Sequence, residues 1–152
     1  DTVFNIEVLQ FNGTELPLSV RVEKQQHSYW DGTQSIYFDY PKYSGTVFAD
    51  SIVGGDGIDF MDGGFGNDTL VGGGGDDVFI TRTGDDLVDG GAGFDRVLYS
   101  DGFARYEISK GEVAGSWTVR DKLADADGGE GVDTLTGIER LIFDKPNPWG
   151  IW

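Results

Sequence analysis

Nine-residue periodicity fixes what residues 45–98 can become. Aligned on that period they divide into GTVFADSIV, GGDGIDFMD, GGFGNDTLV, GGGGDDVFI, TRTGDDLVD and GGAGFDRVL. The sixth place is aspartate in every block: Asp50, Asp59, Asp68, Asp77, Asp86 and Asp95. The eighth place is apolar in every block: Ile52, Met61, Leu70, Phe79, Val88 and Val97. The first and fifth blocks lack the glycine pair. Solvated loops have no reason to keep such a period, so the register itself specifies a repeated structural unit.

Each place imposes a physical demand. A glycine run permits a tight turn with carbonyls facing inward, because glycine tolerates positive φ. The following five residues are extended, and alternation sets places six and eight on one face. Turn plus short strand, repeated, winds a coil in which two blocks make one turn. Blocks two apart then stack as parallel strands ~4.8 Å apart. Stacking lines up Asp59, Asp77 and Asp95 in one ladder and Asp50, Asp68 and Asp86 in another. Neighbouring carboxylates ~5 Å apart repel by about 3 kcal/mol at an effective dielectric of ~20. A divalent cation between rungs reverses that sign. Oxygen-only ligation favours Ca²⁺ over zinc or copper, and Mg²⁺ demands a tighter octahedron. Six apolar side chains at place eight make a thin core against the ordering entropy of so many glycines. Metal binding is therefore expected to be part of folding.

The blocks GGDGIDFMD, GGFGNDTLV and GGGGDDVFI resemble the glycine- and aspartate-rich nonapeptide of RTX (repeats-in-toxin) proteins, a known calcium-binding β-helix repeat. FDRVLYSDGFARYEIS, WTVRD and GVDTLTGIERLIFD resemble the segment that often follows such repeats. The resemblance implies an all-β fold: a right-handed parallel β-roll flanked by antiparallel strands packing on its ends. It implies carboxylate ligands at Asp59, Asp68, Asp77, Asp86 and Asp95. It also implies main-chain carbonyl ligands at Gly55, Gly57, Gly64, Gly66, Gly73, Gly75, Gly84, Gly91 and Gly93. Sites are expected at 59/77, 68/86 and 77/95. A fourth at 50/68 would have to use Asp50, whose turn carries Thr46, Val47 and Phe48 in place of glycines. About three to four calcium ions follow from this pattern. In the fifth block Thr81 and Arg82 replace the glycine pair, while Gly84 survives. GGEGVDTL (128–135) is a solitary seventh copy. Its Asp133 has no neighbouring rung in sequence and would need a ligand from elsewhere.

The chain divides into residues 1–44, a strand-rich flank ending a preceding module; 45–98, the coil; and 99–152, a C-terminal flank or cap. IEVLQF (6–11), LSVRVE (18–23), SIYFDY (35–40), YEIS (106–109) and SWTVR (116–120) read as strands. NGTELP (12–17) and WDGTQ (30–34) read as turns. DTVFNIEVLQF (1–11) echoes DTLTGIERLIF (133–143), so both ends are expected to carry the same module edge. The tail DKPNPWGIW is broken by proline, with Trp149 and Trp152 able to dock. The chain opens in mid-pattern at Asp1, as a fragment of something larger would.

The net charge of −16 opposes nucleic acid and anionic membranes as partners. There is no cysteine, hence no disulfide framework or cysteine-ligated zinc. No apolar run approaches the roughly 20 residues that span a bilayer. Phosphate cradling is excluded, because no lysine follows the glycines and the aspartates repel phosphate. DADGGEGVD (125–133) misplaces the glycine of an EF-hand loop and lacks its closing glutamate. His27 is the only histidine and has no triad or metal partner to be placed beside it. Aspartate pairs can serve as acid and base in glycosidases, but regular ladders have a simpler use, so no enzyme activity is expected.

The RTX resemblance implies an extracellular, type I secreted bacterial protein that folds when it meets external calcium. Trp30 and Tyr37, with Tyr29, Phe38, Tyr40 and Tyr43, pose a competing expectation. They would form the glycan- or protein-binding face of an adhesin or carbohydrate-active protein in which calcium is only structural.

Overall fold

A computed structural model describes residues 8–11, 14–17, 21–30, 35–123 and 129–143, with side chains for 22–24, 40–123 and 129–143. The strands are β1 (Val8–Phe11), β2 (Thr14–Pro17), β3 (Arg21–Trp30), β4 (Ser35–Ser44), β5 (Ser51–Val53), β6 (Phe60–Asp62) and β7 (Thr69–Gly74). They continue with β8 (Val78–Ile80), β9 (Leu87–Ala92), β10 (Arg96–Tyr99), β11 (Tyr106–Lys110), β12 (Trp117–Asp121), β13 (Val132–Thr136) and β14 (Arg140–Phe143). One short 3₁₀ turn, Phe103–Arg105, precedes β11.

Two six-stranded sheets form the walls of a parallel β-solenoid of about three turns. One wall runs β14-β10-β8-β6-β4-β3 and the other β11-β12-β13-β9-β7-β5. The nine-residue period does this directly: successive blocks alternate between walls, and blocks two apart pair in register, as in Phe60↔Val78 and Thr69↔Leu87. Antiparallel strands continue the walls at opposite ends. β3 pairs with β4 in the first wall, and β12 and β11 follow β13 in the second.

Place eight builds the core. Tyr43, Met61, Phe79, Val97 and Leu141 fall in one register column. Ile52, Leu70, Val88 and Leu135 form the opposing column. All but Tyr43 and Leu141 are fully buried, and those two pack against the cluster. The C-terminal end is closed by aromatic rings. Tyr99 stacks on Phe143 at 5.2 Å and tilts against Tyr106 at 4.9 Å, with Phe103 edge-on to Phe143 at 5.4 Å. Beside them Arg105 grips both oxygens of Asp121 at 2.8 and 2.6 Å.

Several expectations differ in detail. NGTELP is not one six-residue turn: Thr14–Pro17 form β2, paired antiparallel with β1. As a sequence signal, an Asn-Gly pair favours a two-residue connection, which leaves the rest of the segment free to pair. The echo of residues 1–11 in 133–143 does not extend to placement. β14 lies parallel beside β10, whereas β1 pairs with β2 in a separate two-stranded sheet. The strand expected over 18–23 is described from Arg21 onward. Residues 31–34 of the second turn, residues 125–128 of the EF-hand-like stretch, and Trp149 and Trp152 lie outside the described residues.

Candidate metal centre

The glycine turns stack as the strands do. In blocks three to six, place two has positive φ: Gly64 at 95°, Gly73 at 105°, Arg82 at 66° and Gly91 at 91°. A Cβ on Gly73 would lie 2.4 Å from the carbonyl oxygen of Gly55, one coil turn below. At place four a Cβ on Gly75 would lie 2.5 Å from the Gly57 oxygen. Glycine is required at both positions for backbone conformation and for close approach. The same contacts bring Gly84 over Gly66, Gly91 over Gly73 and Gly93 over Gly75, so the expected carbonyl ligands stand in columns beside the aspartates.

The two aspartate ladders form as the spacing requires. From Asp68 onward each place-six carboxylate of the repeats accepts, through Oδ1, the amide of the aspartate 18 residues earlier. The links are Asp50 to Asp68 at 2.9 Å, Asp59 to Asp77 at 2.8 Å, Asp68 to Asp86 at 2.7 Å and Asp77 to Asp95 at 2.8 Å. Asp59, Asp68, Asp77, Asp86 and Asp95 are 0–2% exposed; Asp50 is half-buried.

The second carboxylate oxygen separates two kinds of loop. In the first two blocks it is satisfied from within. Asp50 Oδ2 accepts from the Thr46 amide at 2.6 Å and the Thr46 hydroxyl at 2.9 Å, and Asp59 Oδ2 accepts from the Gly55 amide at 2.7 Å. In blocks three to six the positive φ at place two goes with the loss of that donor. Among the described residues, Oδ2 of Asp68, Asp77, Asp86 and Asp95 is buried without a hydrogen-bond partner. Leaving a buried carboxylate oxygen unpaired is costly. Desolvation, the largest cause, pushes Asp68 and Asp77 up to about 6 and Asp86 up to about 7, with neighbouring aspartates adding repulsion. It also raises Asp59 and Asp95.

These oxygens face the loop interior: a Cβ on Gly72 would lie 2.2 Å from Asp77 Oδ2, and one on Gly90 2.6 Å from Asp95 Oδ2. Hard oxygen donors, anionic and unpaired beside columns of carbonyls, fit a calcium ion. No three His, Cys, Asp or Glu side chains converge among the described residues, so the carboxylates would share the ion with main-chain oxygens.

Three features were not read from the sequence. Arg82 occupies place two at positive φ, and its guanidinium pairs with both oxygens of Asp62 at 2.5 and 2.6 Å. Place five carries an outer ladder: Asn67 accepts the Asp85 amide, Asp76 that of Phe94 and Asp85 that of Val132. Both inner ladders also continue past the repeats. Asp133 Oδ1 accepts the Asp86 amide at 3.1 Å, and Glu139 accepts the Asp95 amide at 2.8 Å. The motif GGEGVD was the signal for Asp133. Nothing in the local sequence marks Glu139.

Comparison with known proteins agrees with this geometry. The family model for the RTX calcium-binding nonapeptide repeat (4 copies) matches residues 44–79 and 62–97. Residues 44–97 belong to the RTX calcium-binding repeats. The extracellular lipase LipA of Serratia marcescens is similar in fold to this chain, at 30% identity and a TM-score of 0.50 over 68% of the chain. The chain spans 15% of that lipase. A subunit of the Azotobacter vinelandii mannuronan C5-epimerase, AlgE6R3, aligns at 22% identity and a TM-score of 0.35, covering 59% of this chain and 71% of its own. No curated protein sequence matches. No helix among the described residues is long and apolar enough to cross a membrane.

Proposed function

We propose that this RTX chain is a calcium-responsive folding module of a larger, type I secreted extracellular bacterial protein, without catalysis of its own. The buried, unpartnered oxygens of Asp68, Asp77, Asp86 and Asp95 carry this reading. They make the coil unfavourable until cations arrive. Where calcium is scarce, the chain stays open enough for export through a channel. Where it is millimolar, a site with a Kd of ~0.1 mM is filled about 30-fold above half-saturation and stabilises by about 2 kcal/mol. Three such sites would supply ~6 kcal/mol, comparable to the net stability of a small domain. About three to four ions are expected, held by the place-six carboxylates and the glycine-turn carbonyls.

The test is a calcium titration from chelator to 10 mM, followed by far-UV circular dichroism and tryptophan fluorescence, with magnesium as control. A cooperative gain of β-structure with calcium and none with magnesium is expected. A chain already folded in chelator would overturn the reading.

A further inference from the structure

We infer that two copies of this chain join at the C-terminal ends of their coils, about a two-fold axis parallel to the strands, each laying its β11 along the other's β14. The interface lies beyond residue 97, where the family match ends. Its geometry is independent of the aspartate ladders; only its dependence on calcium rests on the reading above.

The two walls end unevenly. β13 and β14 are successive strands of the last coil turn, one in each wall. Beyond β13 the second wall carries two more strands, β12 and β11. Beyond β14, among the described residues, the first wall carries none. The overhang therefore presents an inward face with no opposing sheet. Directly paired residues of antiparallel strands share a face. Trp117 is in register with the buried Leu135, Lys110 with Trp117, and Ile108 with the buried Val119, so all three point inward. Yet Trp117, a residue type that is highly buried on average, is 38% exposed. Lys110 is exposed and Ile108 only half-buried. β11 and β14 are also the edge strands of their walls, and an open edge is a template for a further strand.

A second copy fits this step because the overhang is its own complement. Rotation about an axis parallel to the strands exchanges the walls and reverses the coil. Each two-strand overhang then fills the step beyond the other's β14, and the same contact is made twice, as an isologous interface requires. Each Trp117 comes to face the other copy's β11 across a continued interior. Strand directions agree: β11 runs with β13, β14 returns against them along the other wall, and the rotation preserves both, so the new pair is antiparallel. Side-chain alternation agrees as well. With Phe143 opposite the second copy's Tyr106, Leu141 falls opposite Ile108, and all four already belong to or pack against the core. In that register Glu139 falls opposite Lys110, and Arg140 lies diagonal to Glu107. Opposite charges meet in both pairs, and no like charges stand directly opposite.

The net charge of −16 opposes association of two metal-free chains. Each calcium ion held removes two of those charges, so dimerisation follows calcium.

Sedimentation equilibrium of the full chain tests this directly. At ~100 μM chain in saturating calcium the mass of a dimer is expected, as a Kd of about 1 μM would give, and that of a monomer in chelator. Lys110→Glu sets two acids opposite each other and should weaken association about tenfold or more, with the calcium-induced dichroism unchanged. Cysteine trapping checks the register. The chain has no cysteine, and Arg140 and Ser109, which lie in different walls of one chain, fall directly opposite each other between copies. The double variant R140C/S109C should form a disulfide-linked dimer in calcium, and neither single variant should. A calcium-bound monomer at that concentration would overturn the inference and leave the calcium reading intact. If its Trp117 is also shielded from acrylamide, another segment of the same chain occupies the step. A dimer indifferent to Lys110→Glu and not trapped by the cysteine pair joins elsewhere, which would also overturn the inference. A trapped dimer that forms equally in chelator would keep the interface and count against the calcium reading.

Discussion

A single backbone angle decides whether each RTX loop is ready for a cation. At Thr46 and Gly55 the place-two amide donates to the aspartate of its own loop. At Gly64, Gly73, Arg82 and Gly91 φ is positive and the aspartate oxygen is left alone. Gly73→Ala should therefore be severe. Its Cβ would meet the Gly55 carbonyl at 2.4 Å, in a backbone region that alanine adopts at a cost of about 1–2 kcal/mol before any clash. The calcium midpoint should rise several-fold in a dichroism titration, whereas Gly102→Ala, with nothing within 4 Å, should leave it unmoved. Arg82 offers the converse. Arg82→Gly relieves positive-φ strain of about 1 kcal/mol but loses a half-exposed ion pair worth at most about 1 kcal/mol. Thermal melts in calcium should differ little from wild type. A loss of more than ~2 kcal/mol would show that the Asp62 pair holds the loop.

The ladder is the element in which these loops couple. Asp77 accepts the amide of Asp59 and donates its own amide to Asp95, so Asp77→Ala disturbs two rungs. It should raise the calcium midpoint more than Asp50→Ala, whose carboxylate is already satisfied by Thr46. The ladder also sets a pH dependence. Burial holds Asp68 and Asp77 near 6 and Asp86 near 7 in the metal-free coil, above the ordinary 3.8. The folded chain then binds more protons than the unfolded chain between these values, and its stability falls as pH rises through them. In chelator the coil should be more structured at pH 5 than at pH 8. With calcium the order reverses, because the ion must displace those protons. Dichroism at both pH values, with and without calcium, reads both signs; a metal-free coil more stable at pH 8 would contradict the buried, unpaired carboxylates.

The same element shows how much could be read in advance. Place six and place eight were legible because a coil repeats its environment, so Asp59 and Met61 predict Asp77 and Phe79. Asp133 and Glu139 were not placed, because the insertion from 100 to 131, including β11 and β12, breaks the period. Only the fold shows that they stand 47 and 44 residues above their rungs. The part played by Arg82 was hidden for another reason. Positive φ disfavours arginine locally, and the tertiary ion pair to Asp62 is invisible in the nonapeptide.

At the scale of the whole molecule, the walls need their ends. β9 and β10 would be open edges without β13 and β14, and Val88 and Val97 would lose Leu135 and Leu141 beside them in register. The cap that holds those strands is polar as well as aromatic. Glu130 accepts from the Tyr106 hydroxyl at 2.6 Å and from Ser100, and its amide donates to Asp121, which Arg105 clamps. Removing one member leaves buried partners unpaired, which costs about 1–3 kcal/mol for each neutral group and more for a charge. Arg105→Met leaves Asp121 buried with its charge uncompensated, so it should act at a distance, raising the calcium midpoint for the repeats without touching any ligand. Hydrogen exchange in saturating calcium distinguishes the two ways this can happen. Faster exchange confined to 100–136 would mean the cap opens alone and the repeats stand without it. Faster exchange spreading through 60–98 would mean that the cap and the ladders fold as one unit, as the shared strands β13 and β14 require.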